Sequence, residues 1–235
     1  MSSDQEDFGY RGDGSAEDLL RWALERHHPR IAVATSLQDV VLVHMAIHIR
    51  PDARVFSIDT GRLPEETYQC AEALRRMFGV RIEWYFPRTE AVERLEREKG
   101  LYAFRRSIED RRECCGIRKV EPLRRALAGL DAWVTGMRRE DGATRGGLPK
   151  LLRDEAHGGI LKINPLADWS AGQVSEYTQR HGLPYNRLLD VGYASIGCAC
   201  CTRAIGPGDD PRAGRWWWEN PEQKECGLHA RNWHI

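Results

Sequence analysis

Four cysteines form the pattern in this chain best suited to metal chemistry: an adjacent pair, Cys114 and Cys115, and a distant Cys198-x-x-Cys201. Four thiolates can complete the coordination of a metal centre. Adjacent cysteines fit poorly to a mononuclear zinc site, whose ligand pairs usually have two or more spacer residues. A cubane iron–sulfur cluster offers four separate iron corners, so adjacent thiolates can each bind one. The pattern therefore favours a cluster, with structural zinc as the alternative.

A fifth cysteine, Cys226, lies near the C-terminus in a charged segment, with Lys224 and His229 close by. Cationic neighbours favour the thiolate, which is the nucleophilic form of cysteine. Cys226 is therefore a candidate nucleophile, and an incidental tail cysteine is the alternative. Cys200 is interpreted as a bystander, because the Cys-x-x-Cys spacing around it suits a tight turn, and replacement of a neighbouring cysteine as ligand is the alternative.

The composition excludes several classes of protein. Lys plus Arg and Asp plus Glu are both 35 in the 235 residues, so the net charge is zero. A protein that coats nucleic acid usually has a strongly basic field. No apolar run approaches the roughly 20 residues that span a bilayer, and the polar N-terminus does not resemble a signal peptide. We expect a cytoplasmic protein with no nucleic-acid or membrane partner, whose cysteines bind metal or react rather than form disulfides.

Strands and helices alternate along much of the chain, which predicts an α/β fold: a mostly parallel twisted sheet with helices on both faces. The predicted strands are 31–34, 54–58, 80–86 and 132–136, and the predicted helices are 16–27, 39–49, 64–78, 89–99, 123–130 and 169–181. The regularity fades after Arg145, and the C-terminal part, rich in Cys and Trp, predicts an irregular cap and tail. We divide the chain into a flexible leader (1–15), an α/β domain (16–205) and a tail (206–235).

Right-handed crossovers place the turns after Ala34, Ile58 and Val134 at one edge of the sheet, where such folds bind ligands. The first turn has neither a Walker loop nor a dinucleotide fingerprint, but its Ser36 lies at a helix N-terminus that can bind an anion. A helix-capping role is the alternative for Ser36. Asp59-Thr60-Gly61 could contact a ribose or adenine, or form an ordinary turn.

Arginines follow the fourth predicted strand, at Arg138, Arg139 and Arg145. Paired arginines at a sheet edge suit bidentate binding of an oxyanion, and a solvated surface cluster is the alternative. Arg118 and Lys119 lie three and four residues beyond Cys115. If this segment is helical, both return toward the cysteine pair and bring positive charge to the metal centre or a bound anion.

Taken together, these segments resemble one family, the assimilatory adenylyl-sulfate reductases of the phosphoadenylyl-sulfate reductase group. The matching segments are Phe56-Ser57-Ile58-Asp59-Thr60-Gly61-Arg62, Glu113-Cys114-Cys115-Gly116-Ile117-Arg118-Lys119, Trp133-Val134-Thr135-Gly136-Met137-Arg138-Arg139, Lys162-Ile163-Asn164-Pro165-Leu166, Gly192-Tyr193-Ala194-Ser195-Ile196-Gly197-Cys198 and Lys224-Glu225-Cys226-Gly227-Leu228-His229. The resemblance runs from about residue 31 to residue 229.

The resemblance implies an adenine-nucleotide α-hydrolase-like fold and reduction of adenylyl sulfate to sulfite and AMP. In this family a tail cysteine, matched by Cys226, attacks the sulfur to give an S-sulfocysteine and release AMP. Thioredoxin, or a glutaredoxin-like reductant, then frees sulfite by thiol exchange. A [4Fe-4S] cluster is implied, and its ligands match Cys114, Cys115, Cys198 and Cys201. The sequence leaves the oligomeric state open, with a homo-oligomer among the options.

The resemblance also implies roles for further residues. Lys119 matches a lysine between cluster and substrate, and His229 matches a tail group near the sulfate, so both are expected to be catalytic. The expected substrate-binding residues are Ser36, Ile58, Asp59, Thr60, Gly61, Gly136, Arg139, Arg145, Arg212 and Arg215.

Two positions depart from the family pattern: the first loop, Ser36-Leu37-Gln38-Asp39, lacks the usual glycine, and Cys200 replaces a usual proline. Reduction of the 3′-phosphorylated substrate, or of both substrates, is the nearest alternative function. Members specialised for it generally lack the four cysteines. More remote alternatives are an ATP-dependent RNA thiolase, which would need a Ser-Gly-Gly-x-Asp-Ser loop, and a zinc-stabilised binding module.

Overall fold

A six-stranded sheet forms the centre of the fold in the computed structural model, which describes residues 8–12, 14–142 and 145–220. The strands are β1 (Ile31–Ala34), β2 (Arg54–Ile58), β3 (Ile82–Tyr85), β4 (Ala132–Val134), β5 (Leu151–Asp154) and β6 (Ile160–Ile163). Their order is β3-β2-β1-β4-β6-β5. All neighbouring pairs are parallel except β5 and β6, which are antiparallel.

Seven α-helices accompany the sheet in the described part of the chain. They are α1 (Ala16–His27), α2 (Val41–Ile49), α3 (Glu65–Phe78), α4 (Thr89–Lys99), α5 (Ile108–Cys115), α6 (Glu121–Leu127) and α7 (Ala171–Arg180). Local sequence explains several helix starts: the side chain of Ser15 caps α1 and that of Ser170 caps α7, each accepting a backbone N–H bond. None of the described helices has the length and apolar character that crossing a bilayer requires.

The strands bury both faces of the sheet. Ile31 and Val33 of β1 face the larger core with α1, α2 and α3, whereas Ala32 between them packs with Leu123 and Leu127 of α6. This division follows from the alternation of side chains along a strand. The expected α/β fold with a mostly parallel sheet and helices on both faces is therefore confirmed.

The structure differs from the predicted elements after Arg145 and around the cysteine pair. Two strands, β5 and β6, follow Arg145, where we expected the regular structure to end. Both are short, and charged Arg153 and Lys162 interrupt their apolar pattern. α5 was also missed, because its Ile108–Cys115 segment carries charge around most of its circumference. α2 begins at Val41 rather than 39, since the Asp39 carboxylate accepts a hydrogen bond from the Val41 N–H, 3.3 Å away.

Parts of the expected leader and tail pack onto the domain. Phe8 and Tyr10 contact the larger core, and the Tyr10 hydroxyl donates to Asp18 over 2.6 Å. In the C-terminal part, Thr202 pairs with Arg215 in an isolated antiparallel bridge, and Trp216 is fully buried. No helix or strand occurs between 206 and 220, as expected for an irregular cap.

A buried ion pair supports β5 and β6 on the α6 face of the sheet. The Asp154 carboxylate lies 3.7 Å from Nζ of Lys162 and 3.1 Å from Nδ1 of His157. Nζ of Lys162 also lies 4.8 Å from the ring centre of buried Trp133. Burial raises the pKa of Asp154, but His157 and Lys162 outweigh it and leave the pKa below its usual value.

A buried histidine, His44, joins α2 to α7 through a hydrogen bond with Tyr177. Nδ1 of His44 lies 3.0 Å from the Tyr177 hydroxyl, and the His44 ring stacks against His48 and His181 with centroids 4.0 and 5.0 Å away. Burial, together with the charges that His48 and His181 can carry, lowers the pKa of His44 to about 4. His44 is therefore neutral in the folded protein at neutral pH.

We predict that Asp154→Asn lowers the free energy of unfolding by about 3 kcal/mol, because it removes the carboxylate charge beside buried Lys162. Urea denaturation measures this as a lower midpoint with an unchanged m-value. Glu176→Gln is the matched control: it removes a carboxylate from the exposed pair with Arg180, for which a loss below about 0.5 kcal/mol is expected. Equal losses in both variants would contradict a special role for the buried pair.

We predict that His44 makes the fold acid-sensitive. Its pKa is lowered by folding, so the unfolded chain binds the extra proton and stability is lost as pH falls from 6.5 towards about 4. The expected loss approaches about 1.4 kcal/mol per pH unit from this group at most. Urea midpoints across this range should fall more steeply for the wild type than for His44→Gln. Parallel pH profiles for the two proteins would show that His44 does not contribute.

Candidate active site

A cavity of about 810 Å³ lies at the carboxyl edge of the parallel strands. Residues at or just after the ends of β1, β2 and β4 line it, which is where the right-handed crossovers predicted a ligand site. Its volume lies in the usual range for small-molecule sites. We call it the large cavity. The predicted residues that line it are Ser36, Ile58, Thr60, Lys119, Gly136, Cys198, Arg145, Arg212 and Arg215.

Three predicted substrate-binding residues are absent from this lining. The Asp59 carboxylate is buried and accepts bonds from the Gly61 N–H (2.7 Å) and the Tyr68 hydroxyl (3.0 Å). Gly61 has a φ of +70°, and a Cβ there would lie 3.4 Å from Nη1 of Arg118. Arg139 donates from Nε to the Leu148 carbonyl over 2.9 Å and pairs with Asp168. Asp59 and Gly61 thus shape the turn after β2. The Arg139 guanidinium is paired with Asp168 outside the lining of the large cavity.

Arg138 takes the place in the lining that was expected for Arg139. Asp141 fixes it: Nε of Arg138 donates to Oδ1 over 3.0 Å, and its backbone N–H donates to Oδ2 over 2.9 Å. Nη1 of Arg145 donates to the same Oδ2 over 3.3 Å. One carboxylate therefore holds two cavity-lining arginines. The sequence indicated Arg138 as one of the paired arginines that could bind an oxyanion, but it did not indicate that Asp141 holds Arg138 and Arg145, although the Arg-x-x-Asp-x-x-x-Arg spacing was available.

The first loop reaches an unusual conformation without glycine. Leu37 has a φ of +58°, which is uncommon for a residue with a side chain, and that side chain is fully buried in the larger core. The Thr35 hydroxyl accepts a bond from the Leu37 N–H over 3.1 Å. The Gln38 side chain accepts from the Ile196 N–H over 2.9 Å. Burial of Leu37 and these bonds keep Ser36 in the lining of the large cavity.

Three cationic side chains that line the large cavity pack over the ring of Trp216. Lys119, Arg212 and Arg215 lie over its ring, 5.8, 5.9 and 4.8 Å from the centre, and all three line the cavity. Stacking a cation on the face of an indole is favourable and orients it. Gly197 leaves room for the Arg215 guanidinium, which a Cβ at that position would overlap.

A second, smaller cavity adjoins the first, and we call it the cysteine cavity. Its lining consists of Arg62, Phe104, Arg111, Cys114, Cys115, Arg118, Lys119, Cys198, Cys200, Cys201 and Trp216. Lys119 and Cys198 line both cavities. A π-helical segment, Gly116–Val120, follows Cys115 and brings Arg118 and Lys119 back to the cysteine pair, as the helical alternative required.

The protein thus brings together cysteines that are far apart in the sequence. Among the described residues, no three His, Cys, Asp or Glu side chains converge closely enough to hold a single metal ion. The four predicted ligands instead line one small cavity together with Cys200. An all-thiol set of this kind is the donor type that both iron–sulfur clusters and structural zinc use. The donor set is all-thiol, and all four are free cysteines.

Neighbouring groups contact the thiols of the cysteine cavity and change their pKa values. The Thr60 hydroxyl lies 3.2 Å from Sγ of Cys198. Burial raises the pKa of Cys114. The contact with Sγ of Cys201, 3.8 Å away, and the nearby Arg62 guanidinium lower the pKa of Cys200. Cys200 also lines the cysteine cavity, beside the predicted ligands.

The predicted nucleophile Cys226 and its neighbour His229 lie outside the described residues. The described chain reaches Asn220, just after Glu219, which forms a buried ion pair of 2.7 Å with Arg111 of α5. The catalytic roles of Cys226 and His229 stay predictions.

Comparison with known proteins identifies relatives of the whole domain. Residues 28–204 match the family model described as "Phosphoadenosine phosphosulfate reductase domain". The chain is 52% identical to the adenosine 5′-phosphosulfate reductase of Allochromatium vinosum, over 86% of this chain and 79% of that protein. It is 48% identical to the Burkholderia cepacia protein of the same name, over 90% and 85%.

A solved structure shows the same fold. The phosphoadenylyl-sulfate reductase of Candida auris, crystallised with phosphate, superposes with a TM-score of 0.67 at 30% identity. The match covers 81% of this chain and 90% of that one.

We predict that Asp141→Asn weakens binding of AMP roughly tenfold or more, because both Arg138 and Arg145 lose the charged acceptor that fixes them. Titration calorimetry measures the affinity, and circular dichroism tests the fold. Asp168→Asn is the matched control, since it removes a half-exposed carboxylate from Arg139 outside the large cavity. The prediction is wrong if Asp141→Asn binds AMP as tightly as this control.

Proposed function

The chain belongs to the phosphoadenosine phosphosulfate reductase domain family, and on that premise we propose that it reduces adenylyl sulfate to sulfite and AMP in assimilatory sulfate reduction. The observation that carries the proposal is the junction of the two cavities. A nucleotide-sized cavity rich in arginine opens beside a cavity lined by cysteines, and Lys119 lines both. No other described feature combines anion binding and thiol chemistry so closely.

The reaction explains why the large cavity is cationic. The Cys226 thiolate attacks the substrate sulfur, a sulfur–sulfur bond forms, and the bond from sulfur to the phosphate oxygen breaks with AMP leaving. A negative nucleophile must approach a substrate that carries sulfate and phosphate charges. Fixed cations offset that repulsion and stabilise the leaving group. Lys119, Arg145, Arg212 and Arg215 are proposed for this role.

Unsatisfied donors support an anionic ligand. Nη1 of Arg138 and Nε of Arg215 are buried without a hydrogen-bond partner among the described residues. Buried donors in folded proteins are nearly always satisfied, and bound anions are one way to satisfy them. We propose that the phosphosulfate lies on the arginine side of the cavity, with Ser36, Ile58, Thr60 and Gly136 at the strand ends contacting the nucleoside.

We propose that Cys114, Cys115, Cys198 and Cys201 hold a [4Fe-4S] cluster. When bound, the cluster would supply structural support and a fixed charge centre beside the substrate, with cationic Lys119 between the two. The chain's own residues support this role: Lys119 lies between the cavities, and the Thr60 hydroxyl, at the end of β2, contacts Cys198. Electrons for the reduction come from a protein dithiol of the thioredoxin class, so the cluster need not transfer them.

We also propose that the protein is located in the cytoplasm.

The 3′-phosphorylated nucleotide is the second candidate substrate, because the family model and the Candida auris structure carry that name. The four cysteines favour the unphosphorylated substrate, as do the two bacterial relatives named adenosine 5′-phosphosulfate reductase. Comparing sulfite release from both nucleotides separates the two functions. Activity confined to the 3′-phosphorylated nucleotide would overturn the proposed substrate.

We predict that Cys226→Ser abolishes sulfite formation but retains the iron, acid-labile sulfide and visible absorption of the anaerobically purified wild type. The serine hydroxyl cannot form the S-sulfo intermediate, whereas the four proposed ligands are unchanged. Cys70→Ala is the matched control, because it removes a buried thiol whose pKa burial raises to about 12 and which lines neither cavity. It should keep both activity and colour.

Two results would contradict this division of roles. Loss of colour in Cys226→Ser would make Cys226 a metal ligand. Zinc without iron or sulfide in an active wild type would replace the proposed cluster with a zinc site.

A further inference from the structure

An exposed surface beside the cysteine cavity is left unexplained by the reaction. It consists of Leu101, Tyr102, Arg105, Arg203, Trp217 and Trp218, and we call it the aromatic–arginine surface. Its two tryptophans are half-buried and its other four members are exposed. Leu101 and Tyr102 are 64% and 60% exposed, unusually high values for large apolar side chains of this chain. Neither residue lines the large cavity or the cysteine cavity.

Arg105 organises this surface. Its guanidinium carbon lies 5.3, 5.4 and 5.3 Å from the ring centres of Tyr102, Trp217 and Trp218. Arg203 lies 5.3 Å from the ring centre of Trp217. The rings come from two distant parts of the chain, so the surface is a built tertiary feature. Rigid aromatic rings with arginine are the side chains most enriched at the energetic centres of protein interfaces.

The surface carries exposed positive charge. Arg105 and Arg203 are both exposed, while the neighbouring carboxylates of Glu96 and Glu219 are engaged by other arginines. Glu96 pairs with Arg62 and Arg118, and Glu219 pairs with Arg111. The chemistry therefore suits a partner surface with apolar side chains and an acidic rim.

The aromatic–arginine surface also lies close enough to the C-terminal segment for a docked partner to reach Cys226, the proposed nucleophile. Nη2 of Arg105 donates to the Cys200 carbonyl over 3.1 Å, which joins the surface to the cysteine cavity. The described chain ends at Asn220, two residues beyond Trp218. Cys226 follows six residues later, so it can lie at most about 20 Å from Asn220. A protein docked here is within reach of that sulfur.

We propose that the aromatic–arginine surface is the docking site for the protein dithiol, of the thioredoxin class, that reduces the S-sulfo enzyme. This inference rests on the proposed function. A partner thiolate attacks Sγ of Cys226, a disulfide forms between the two proteins, and sulfite leaves with the electron pair of the broken sulfur–sulfur bond. The partner's second thiolate then breaks the mixed disulfide. The partner leaves oxidised, and Cys226 is restored as a thiolate.

The test separates the two half-reactions. The first, AMP release in a single turnover without reductant, needs no partner. The second is driven either by a bacterial thioredoxin or by dithiothreitol, which is too small to need a docking surface. Arg105→Glu and Leu101→Glu are the test variants, and Leu101→Glu guards against disturbance of the Cys200 contact that Arg105 makes. Arg76→Glu, an exposed charge reversal on α3, is the matched control.

We expect both test variants to lower kcat/KM for thioredoxin about tenfold or more, since each places a negative charge at the centre of the interface, opposite an apolar and acidic partner surface. AMP release and turnover with dithiothreitol should match the wild type and Arg76→Glu. Unchanged kcat/KM for thioredoxin in both variants would overturn the proposal. Loss of AMP release in both variants would also overturn it and assign the surface to the chain's own residues 221–235. A dimer that only the test variants break apart would assign it to a second copy. Absence of AMP release in the wild type would instead refute the proposed function.

Discussion

The packing of cations around one buried tryptophan is the interaction on which the two cavities depend. Trp216 is fully buried, and its backbone N–H donates to the Cys201 carbonyl over 3.1 Å. Arg111 and Arg215 lie 4.6 and 4.8 Å from its ring centre, and Lys119 lies 5.8 Å away. The ring face attracts these cations and keeps them apart from solvent. Positive charge is thereby concentrated at the wall between the large cavity and the cysteine cavity.

A chain of contacts links the sheet edge to the cysteines. The Thr60 carbonyl, just beyond β2, accepts from Nη1 of Arg118 over 2.8 Å, and its hydroxyl lies 3.2 Å from Sγ of Cys198. Nη2 of Arg118 donates to Glu96 over 2.8 Å, and Arg62 pairs with the same carboxylate. Because these groups are buried or half-buried and mutually bonded, a shift of the cysteine segments would displace the strand end that lines the large cavity. The two cavities therefore share one structural support.

The sequence predicted those features that local patterns determine. Apolar runs such as Ile31–Ala34 are bounded by turn residues, so β1 and its parallel neighbours were identified correctly. The four cysteines were identified from residue type and spacing, and the structure places them around one cavity. β5 and β6 were missed because their apolar patterns are short and interrupted by charge. What makes β6 a strand is its register with β4, where Ile163 pairs with Val134, and this is a property of the tertiary structure.

Local sequence patterns also could not predict the direction in which side chains point at the site. Arg138 and Arg139 are adjacent and chemically identical, yet Asp141 holds the first in the lining of the large cavity while Asp168 holds the second outside it. Leu37 shows the same limit. The loop lacks glycine, and nothing in its local sequence indicates a left-handed residue, but complete burial of the leucine side chain stabilises a conformation whose backbone cost is only about 1 kcal/mol. In both cases a tertiary contact of ordinary strength decides between local alternatives that differ little in energy. The site is thus built by the same packing that forms the core, and its charges are placed by the fold rather than by the motifs alone.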